Sequence, residues 1–120
     1  MKVPIPWTAT GRLLLAHLRA DEIRALIPDE DFVLDNGRRV EFEDFLRDVE
    51  RAAEQGYCCT EGLSHTFRYC MAAPIRDRTG LPVAALCFMT SRDTNPEKRA
   101  TMLEDLIRSS KALSQPYVRL

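Results

Sequence analysis

Two apolar runs separated by a polar knot constrain this chain more than any other feature. Residues 68 to 76 read Arg-Tyr-Cys-Met-Ala-Ala-Pro-Ile-Arg, residues 82 to 89 read Pro-Val-Ala-Ala-Leu-Cys-Phe-Met, and Arg76-Asp77-Arg78-Thr79-Gly80 joins them. Short apolar runs bounded by turn residues are the pattern of buried strands, so the segment is predicted to be a β-hairpin. A reversal at Arg78-Thr79 makes the numbers of facing residues sum to about 157, which sets Cys70 opposite or diagonal to Cys87. Because side chains alternate, Cys70, Ala72 and Pro74 share a face with Val83, Ala85, Cys87 and Met89. Met71, Ala73 and Ile75 share the other with Ala84, Leu86 and Phe88. Neither face is polar. Such a sheet needs cover on both sides: helices on one, and on the other more protein, a partner subunit or a ligand cavity. The small side chains at Ala72, Ala85 and Cys87 leave room for a cavity.

Around this hairpin the chain reads mainly as helices. Met1 to Trp7 contains two alternating prolines and is expected to enter as an extended arm or edge strand. Thr8 or Thr10 caps a helix over about Gly11 to Leu18 with Leu14, Leu15 and Leu18 as its apolar stripe. A second short helix, Glu22 to Leu26, opens at Asp21 and stops at Pro28, making an αα pair with the first. Asn36-Gly37 signals a turn. From Glu41 to Gln55 the residues Phe42, Phe45, Leu46, Val49 and Ala52 or Ala53 recur at helical spacing, and Gly56 stops the helix. Tyr57 to Thr60 is the next expected strand, and Gly62 to Thr66 leads into the hairpin. Asn95 caps a last helix with Pro96 in its first turn, running to about Ser114, with Leu103, Leu106, Ile107, Ser110 and Leu113 on one side. Helices grouped around a mainly antiparallel sheet make an α+β domain.

Composition narrows the function. At 120 residues the chain is expected to be one domain, residues 1–120. A net charge of -1 gives no electrostatic case for gripping nucleic acid directly. The four cysteines, Cys58, Cys59, Cys70 and Cys87, form no CxxC pair, and the N-terminus is not a secretory signal, which points to a reducing cytoplasm. No apolar run approaches the roughly 20 residues of a membrane span.

Three blocks in matching order and spacing resemble the effector-binding domain of the IclR family of bacterial transcriptional regulators. The first is Trp7-Thr8-Ala9-Thr10-Gly11-Arg12-Leu13-Leu14-Leu15-Ala16, similar to that family's Ala-Thr-x-x-Gly-Lys/Arg-x-Leu-Leu-Ala opening. The second is Gly56-Tyr57 at the close of a helix. The third is Cys70-Met71-Ala72-Ala73-Pro74-Ile75-Arg76-Asp77, followed after Gly80 by Val83-Ala84-Ala85-Leu86. The resemblance implies a GAF-like (profilin-like) fold, an antiparallel sheet with packed helices, whose pocket takes a small effector, often an organic or aromatic acid. By position it assigns effector binding to Ala9, Thr10, Thr60, Arg68, Cys70, Cys87 and Met89. It implies a homodimer or tetramer that reaches DNA only through a separate domain, with no enzymatic activity, cofactor or membrane contact.

Departures from the family pattern bear on the ligand. Thr60 stands where the family usually has an acidic residue, and Cys87-Phe88-Met89-Thr90-Ser91 replaces its Ser-x-Ser-Gly-Pro, so the pocket is softer and less polar. The family's winged helix-turn-helix and the first strands of its effector domain have no counterpart, so the chain is expected to be an excised fragment or a short stand-alone relative.

Each candidate also has a plain reading. Arg68 holds a carboxylate through paired hydrogen bonds if it points into the pocket, and is solvated otherwise. Cys70 and Cys87 line the floor as small apolar residues, or form a thiol-based redox or metal sensor. Zinc needs four ligands, and His17 and His65 are not at ligand spacing, so no metal is expected. Cys58 and Cys59 face opposite sides of their strand. His65 beside Ser64 lacks the facing geometry of a hydrolase. The acidic run Pro28 to Asp35 reads as a solvated face.

Overall fold

The computed structural model describes residues 4–34, 36–63 and 67–114. Its first element is a 3-10 turn over Ile5–Trp7, in place of the extended arm expected there; residues 1–3 lie outside the described residues. Pro4 and Pro6 permit the turn because they sit where a helical N–H has no partner to lose. Four helices follow in the chain: α1, Ala9–Leu14; α2, Ala20–Leu26; α3, Phe42–Gln55; and α4, Pro96–Leu113. Three strands lie between α3 and α4: β1, Cys58–Glu61; β2, Arg68–Arg76; and β3, Pro82–Ser91. They form one antiparallel sheet in the order β1-β2-β3, giving the expected α+β architecture.

The hairpin has the faces that alternation predicts, in a shifted register. Cys70 pairs with Met89, Ala72 with Cys87 and Ala73 with Leu86, so facing residues sum to 159 rather than 157. Two local causes account for the shift. The turn closes with Asp77 N–H donating to the Leu81 carbonyl and Gly80 N–H to Asp77, with Gly80 at φ 86°, a conformation that suits glycine. A bulge between Ile75 and Arg76 then adds one more residue on β3.

Helices cover both faces of the sheet. α4 lays Leu106 onto Met71 and Ala73, with Leu86, Phe88, Met102, Leu103 and Ile107 packed around them. On the opposite face α1 and α3 bring Ala9, Leu13 and Ala52 against Cys58 and Ala72, with Cys70 and Ala85 at the margin. Cys58 and Cys59 accordingly join different clusters. A third cluster, Leu15, Ile23, Ile27, Phe32, Phe45 and Val49, lies away from the sheet, with Phe32 edge-on to Phe45 at 5.7 Å.

Several helix expectations need correction. α1 spans Ala9–Leu14 rather than Gly11 to Leu18, and it buries Ala9 and Leu13; Leu14 and Leu18 are only half-buried. It packs on β2, β3 and α3, so the αα pair with α2 does not form. Leu113, expected on the inner side of α4, is 58% exposed, and at this end of the helix Ser110 and Ser114 face the sheet, Ser114 Oγ accepting from Arg76 N–H at 3.0 Å. Asp29, Glu30, Asp31 and Phe32 make a 3-10 turn that exposes Asp29 and Glu30 but buries Phe32. β1 starts one residue later than expected, and Ser64, His65 and Thr66 lie outside the described residues, as does Asp35. Among the described residues no helix is long and apolar enough to cross a membrane.

Candidate functional site

The entry to α1 is built by three residues. Thr8 has extended backbone and caps the helix, its hydroxyl oxygen accepting from Gly11 N–H at 2.9 Å. Gly11 lets the helix pass close to the preceding turn: a Cβ there would lie 2.7 Å from both the Ile5 side chain and its carbonyl oxygen. Arg12, fully buried, donates to the carbonyls of Pro6 (3.0 Å) and Thr8 (2.8 Å) and to the Asp48 carboxylate (3.0 Å). Its guanidinium also lies 4.9 Å over the Phe45 ring. These contacts press Ala9 onto the sheet and leave Thr10 half-buried beside Cys87.

The sheet supplies the other residues. Thr60 on β1 is the cross-strand partner of Cys70 on β2, and Met89 on β3 is the partner of Cys70 on its other side. Arg68, two residues before Cys70, lies on the same face, and its Nη1 is 3.6 Å from the Met89 sulfur. Cys87 sits diagonally across from Cys70, one pair further along. All seven residues named from the sequence therefore meet on or beside one sheet face. That face is not the enclosed hollow the hairpin reading implied. Cys87 is exposed and Met89 57% exposed, because no element lies beyond β3 among the described residues.

Two open depressions flank the face. One, of about 520 Å³, is lined by Phe67, Arg68, Met89, Thr90 and Ser91. The other, of about 310 Å³, includes Thr60 with Arg12, Asp48 and Glu61. Phe67, 77% exposed at the mouth of the first, was not identified from sequence; its one signal is an aromatic residue directly before the strand's arginine. Arg12 was quoted in the opening block but not read as buried, since a charged residue within a leucine run ordinarily marks the polar side of a helix.

Electrostatically the face is a neutral sulfur surface with one cation. Burial pushes the Cys70 thiol above its ordinary value, against the neighbouring Thr60 hydroxyl and the Arg68 charge, which pull it down. Burial raises Cys87 as well, and the nearby Cys70 adds to the effect, while the Thr10 hydroxyl opposes it. Both thiols stay protonated at neutral pH. Among the described residues Arg68 has no acidic partner. An exposed guanidinium at the edge of an apolar sulfur surface suits a small anion with an apolar body. No group of three metal-ligating side chains occurs among the described residues.

Comparisons with known proteins give the family and the fold. The family model described as bacterial transcriptional regulator IclR C-terminal matches residues 1–115. A search of the curated proteins gives no match. Among solved structures, the Agobacterium tumefaciens repressor BlcR is similar at 28% identity and a TM-score of 0.83, over 99% of this chain and 49% of that one. The inducer-binding domain of the PobR transcription factor from Acinetobacter, a double mutant solved with 3-hydroxybenzoic acid, has 23% identity and a TM-score of 0.69, over 91% of this chain and 63% of that one. An IclR homolog from Microbacterium hydrocarbonoxydans, complexed with 4-hydroxybenzoate, has 22% identity and a TM-score of 0.74, over 95% and 46%. The last two show the fold, and the chain spans about half the length of BlcR. With nearly its whole length matched by the family model, the chain belongs to the IclR family of bacterial transcriptional regulators, as their C-terminal, effector-binding domain.

Proposed function

We propose that residues 1–120 form a single sensing domain that binds a small organic acid, aromatic acids foremost, on the face shared by Ala9, Thr10, Thr60, Arg68, Cys70, Cys87 and Met89. The observation that carries this reading is Arg68, a cation without an acidic partner among the described residues, standing at the edge of an apolar sulfur surface. Its planar guanidinium suits a carboxylate, and the thioether and thiols suit an aromatic ring. The hydroxybenzoates held by two proteins of the same fold support the same ligand class. The domain acts in the cytoplasm as a homodimer or tetramer, without catalysing a reaction. It controls transcription through a DNA-binding domain outside these residues, since a net charge of -1 gives no electrostatic case for gripping DNA directly. An effector shifts that output by binding one arrangement of the subunits more tightly than another.

A thermal-shift screen of aromatic and aliphatic carboxylates beside their neutral amides tests the proposal. Stabilisation by an acid and not by its amide supports it; amides that stabilise equally, or no response to any acid, refute it. The second reading, a redox or soft-metal sensor using Cys70 and Cys87, has less support, since burial keeps both thiols protonated and a reactive sensor thiol needs thiolate character.

A further inference from the structure

We propose that Arg99 is a positioning residue for the carboxylate site, an inference that rests on the reading of Arg68 as the anion-binding group. From the opposite face of the sheet its guanidinium locks the open end of the β2-β3 hairpin and so fixes where Arg68 presents its charge.

Arg68 stands where a strand pair is least secure. It belongs to the last pair of the hairpin, Arg68 with Ser91, and beyond it Arg92 N–H donates to the Phe67 carbonyl at 2.8 Å. Strand ends open first, because few packed contacts and exposed bonds hold them. Phe67, Arg68 and Ser91 are all exposed. A side chain keeps a fixed place only on a backbone that does not fray.

Arg99 closes this end from the other side. It lies in the first turn of α4, half-buried, and its Nη2 donates to the Arg92 carbonyl at 2.5 Å and its Nε to the Thr94 carbonyl at 3.1 Å. The guanidinium carbon lies 4.3 Å from the centre of the Tyr69 ring. Tyr69 follows Arg68 on β2 and pairs with Thr90, whose hydroxyl oxygen is 2.7 Å from that of Thr94. One planar group thus grips β2 through an aromatic ring and the chain leaving β3 through two carbonyls. Arg92, whose carbonyl it holds, is also the residue whose N–H completes the ladder to Phe67. No acidic side chain is paired with Arg99 among the described residues.

Only arginine does all of this. A lysine ammonium is a point charge without the planar fork that bonds two carbonyls while its face covers a ring. Because successive side chains on a strand point to opposite faces, Arg68 and Tyr69 diverge. The influence of Arg99 on a ligand therefore passes through the backbone of residues 67–69 and 91–92.

The test compares the 120-residue chain with Arg99→Lys and Arg99→Gln. Without ligand, the Arg92 amide should exchange with solvent about tenfold faster or more in both variants. The methyl of Met89, whose sulfur is 3.6 Å from Arg68, should move toward its position in Arg68→Ala, while Met71 in the core stays in place. With 4-hydroxybenzoate, both variants should bind about tenfold more weakly, and Arg99→Lys added to Arg68→Ala should weaken the remaining binding no further. Unchanged exchange at Arg92, a Met71 shift as large as that of Met89, or an Arg99→Lys effect undiminished in Arg68→Ala overturns the proposal. So does an Arg99→Lys variant that unfolds outright, since the residue is then structural. A wild type that binds no carboxylate removes the effector reading instead, and the two ligand-free measurements decide whether Arg99 fixes Arg68.

Discussion

Cys70 and Cys87 lie on the same sheet face, diagonal to one another, with Met89 directly across the ladder from Cys70. Arg68, which has no acidic partner among the described residues, lies 3.6 Å from the Met89 sulfur and acts on the Cys70 thiol, which defines how the face should respond to substitution.

Arg68→Ala should abolish the stabilisation produced by carboxylates while leaving the fold intact, because the side chain is exposed. Arg68→Lys keeps the charge but loses the planar fork and should be intermediate. Losing a charge-assisted bond of about 1.5–3 kcal/mol corresponds to roughly a 10- to 150-fold weaker affinity. Titration calorimetry of wild type and both variants measures it, and equal affinities would remove Arg68 from the site.

Gly11→Ala should destabilise the domain by about 1–3 kcal/mol, since the new methyl must displace the Ile5 backbone and the Thr8 hydroxyl that caps α1. Chemical denaturation reads the loss. Because Thr10 follows from this helix entry, carboxylate binding should weaken in the same variant.

Arg12→Ala leaves two carbonyls and Asp48 without their donor and opens space beside Phe45. The expected cost, from the cavity and the two carbonyls left unpaired, is about 3–5 kcal/mol. Asp48→Asn should cost less, because Asp48 is 41% exposed and its loss leaves the guanidinium bonded to Pro6 and Thr8. Urea midpoints for the two variants should therefore differ, with Arg12→Ala much the lower.

Stability should fall in alkali. Burial raises the Cys58 thiol from 9.0 to about 11, and burial together with Cys59 raises the Tyr69 hydroxyl from 10.0 to about 12. Each group holds its proton more tightly when folded, so its contribution is complete below the unfolded value and disappears as pH rises through the folded one. The melting temperature should drop between about pH 9 and 11, and Cys58→Ala should flatten that drop. An identical pH slope in Cys58→Ala would contradict the assignment.

Much of this was legible in the residues. Alternation along 70–75 and 84–89 defines two faces of each strand, and the grouping of Cys70 with Cys87 and Met89 held because the observed register differs from the expected one by two in the sum, 159 against 157, which keeps the same faces together. Register was harder, because a bulge at Ile75/Arg76 leaves no mark in the hydrophobic pattern. The regular spacing of Phe45, Val49 and Ala52 located α3 and its buried side, whereas α1 buries Arg12 among its leucines, which periodicity reads as the polar side. Openness of the site was not legible either, since it depends on what lies beyond β3, and side-chain alternation carries no information about the far side of a strand.

Methyl NMR of the methionines tests the central claim most directly. Met89 lies on the effector face, while Met71 and Met102 pack under α4 on the opposite face. On titration with the most stabilising carboxylate, starting with 4-hydroxybenzoate, the Met89 methyl should shift and saturate while Met71 and Met102 stay in place. A titration that moves Met71 or Met102 and leaves Met89 unmoved would contradict the account.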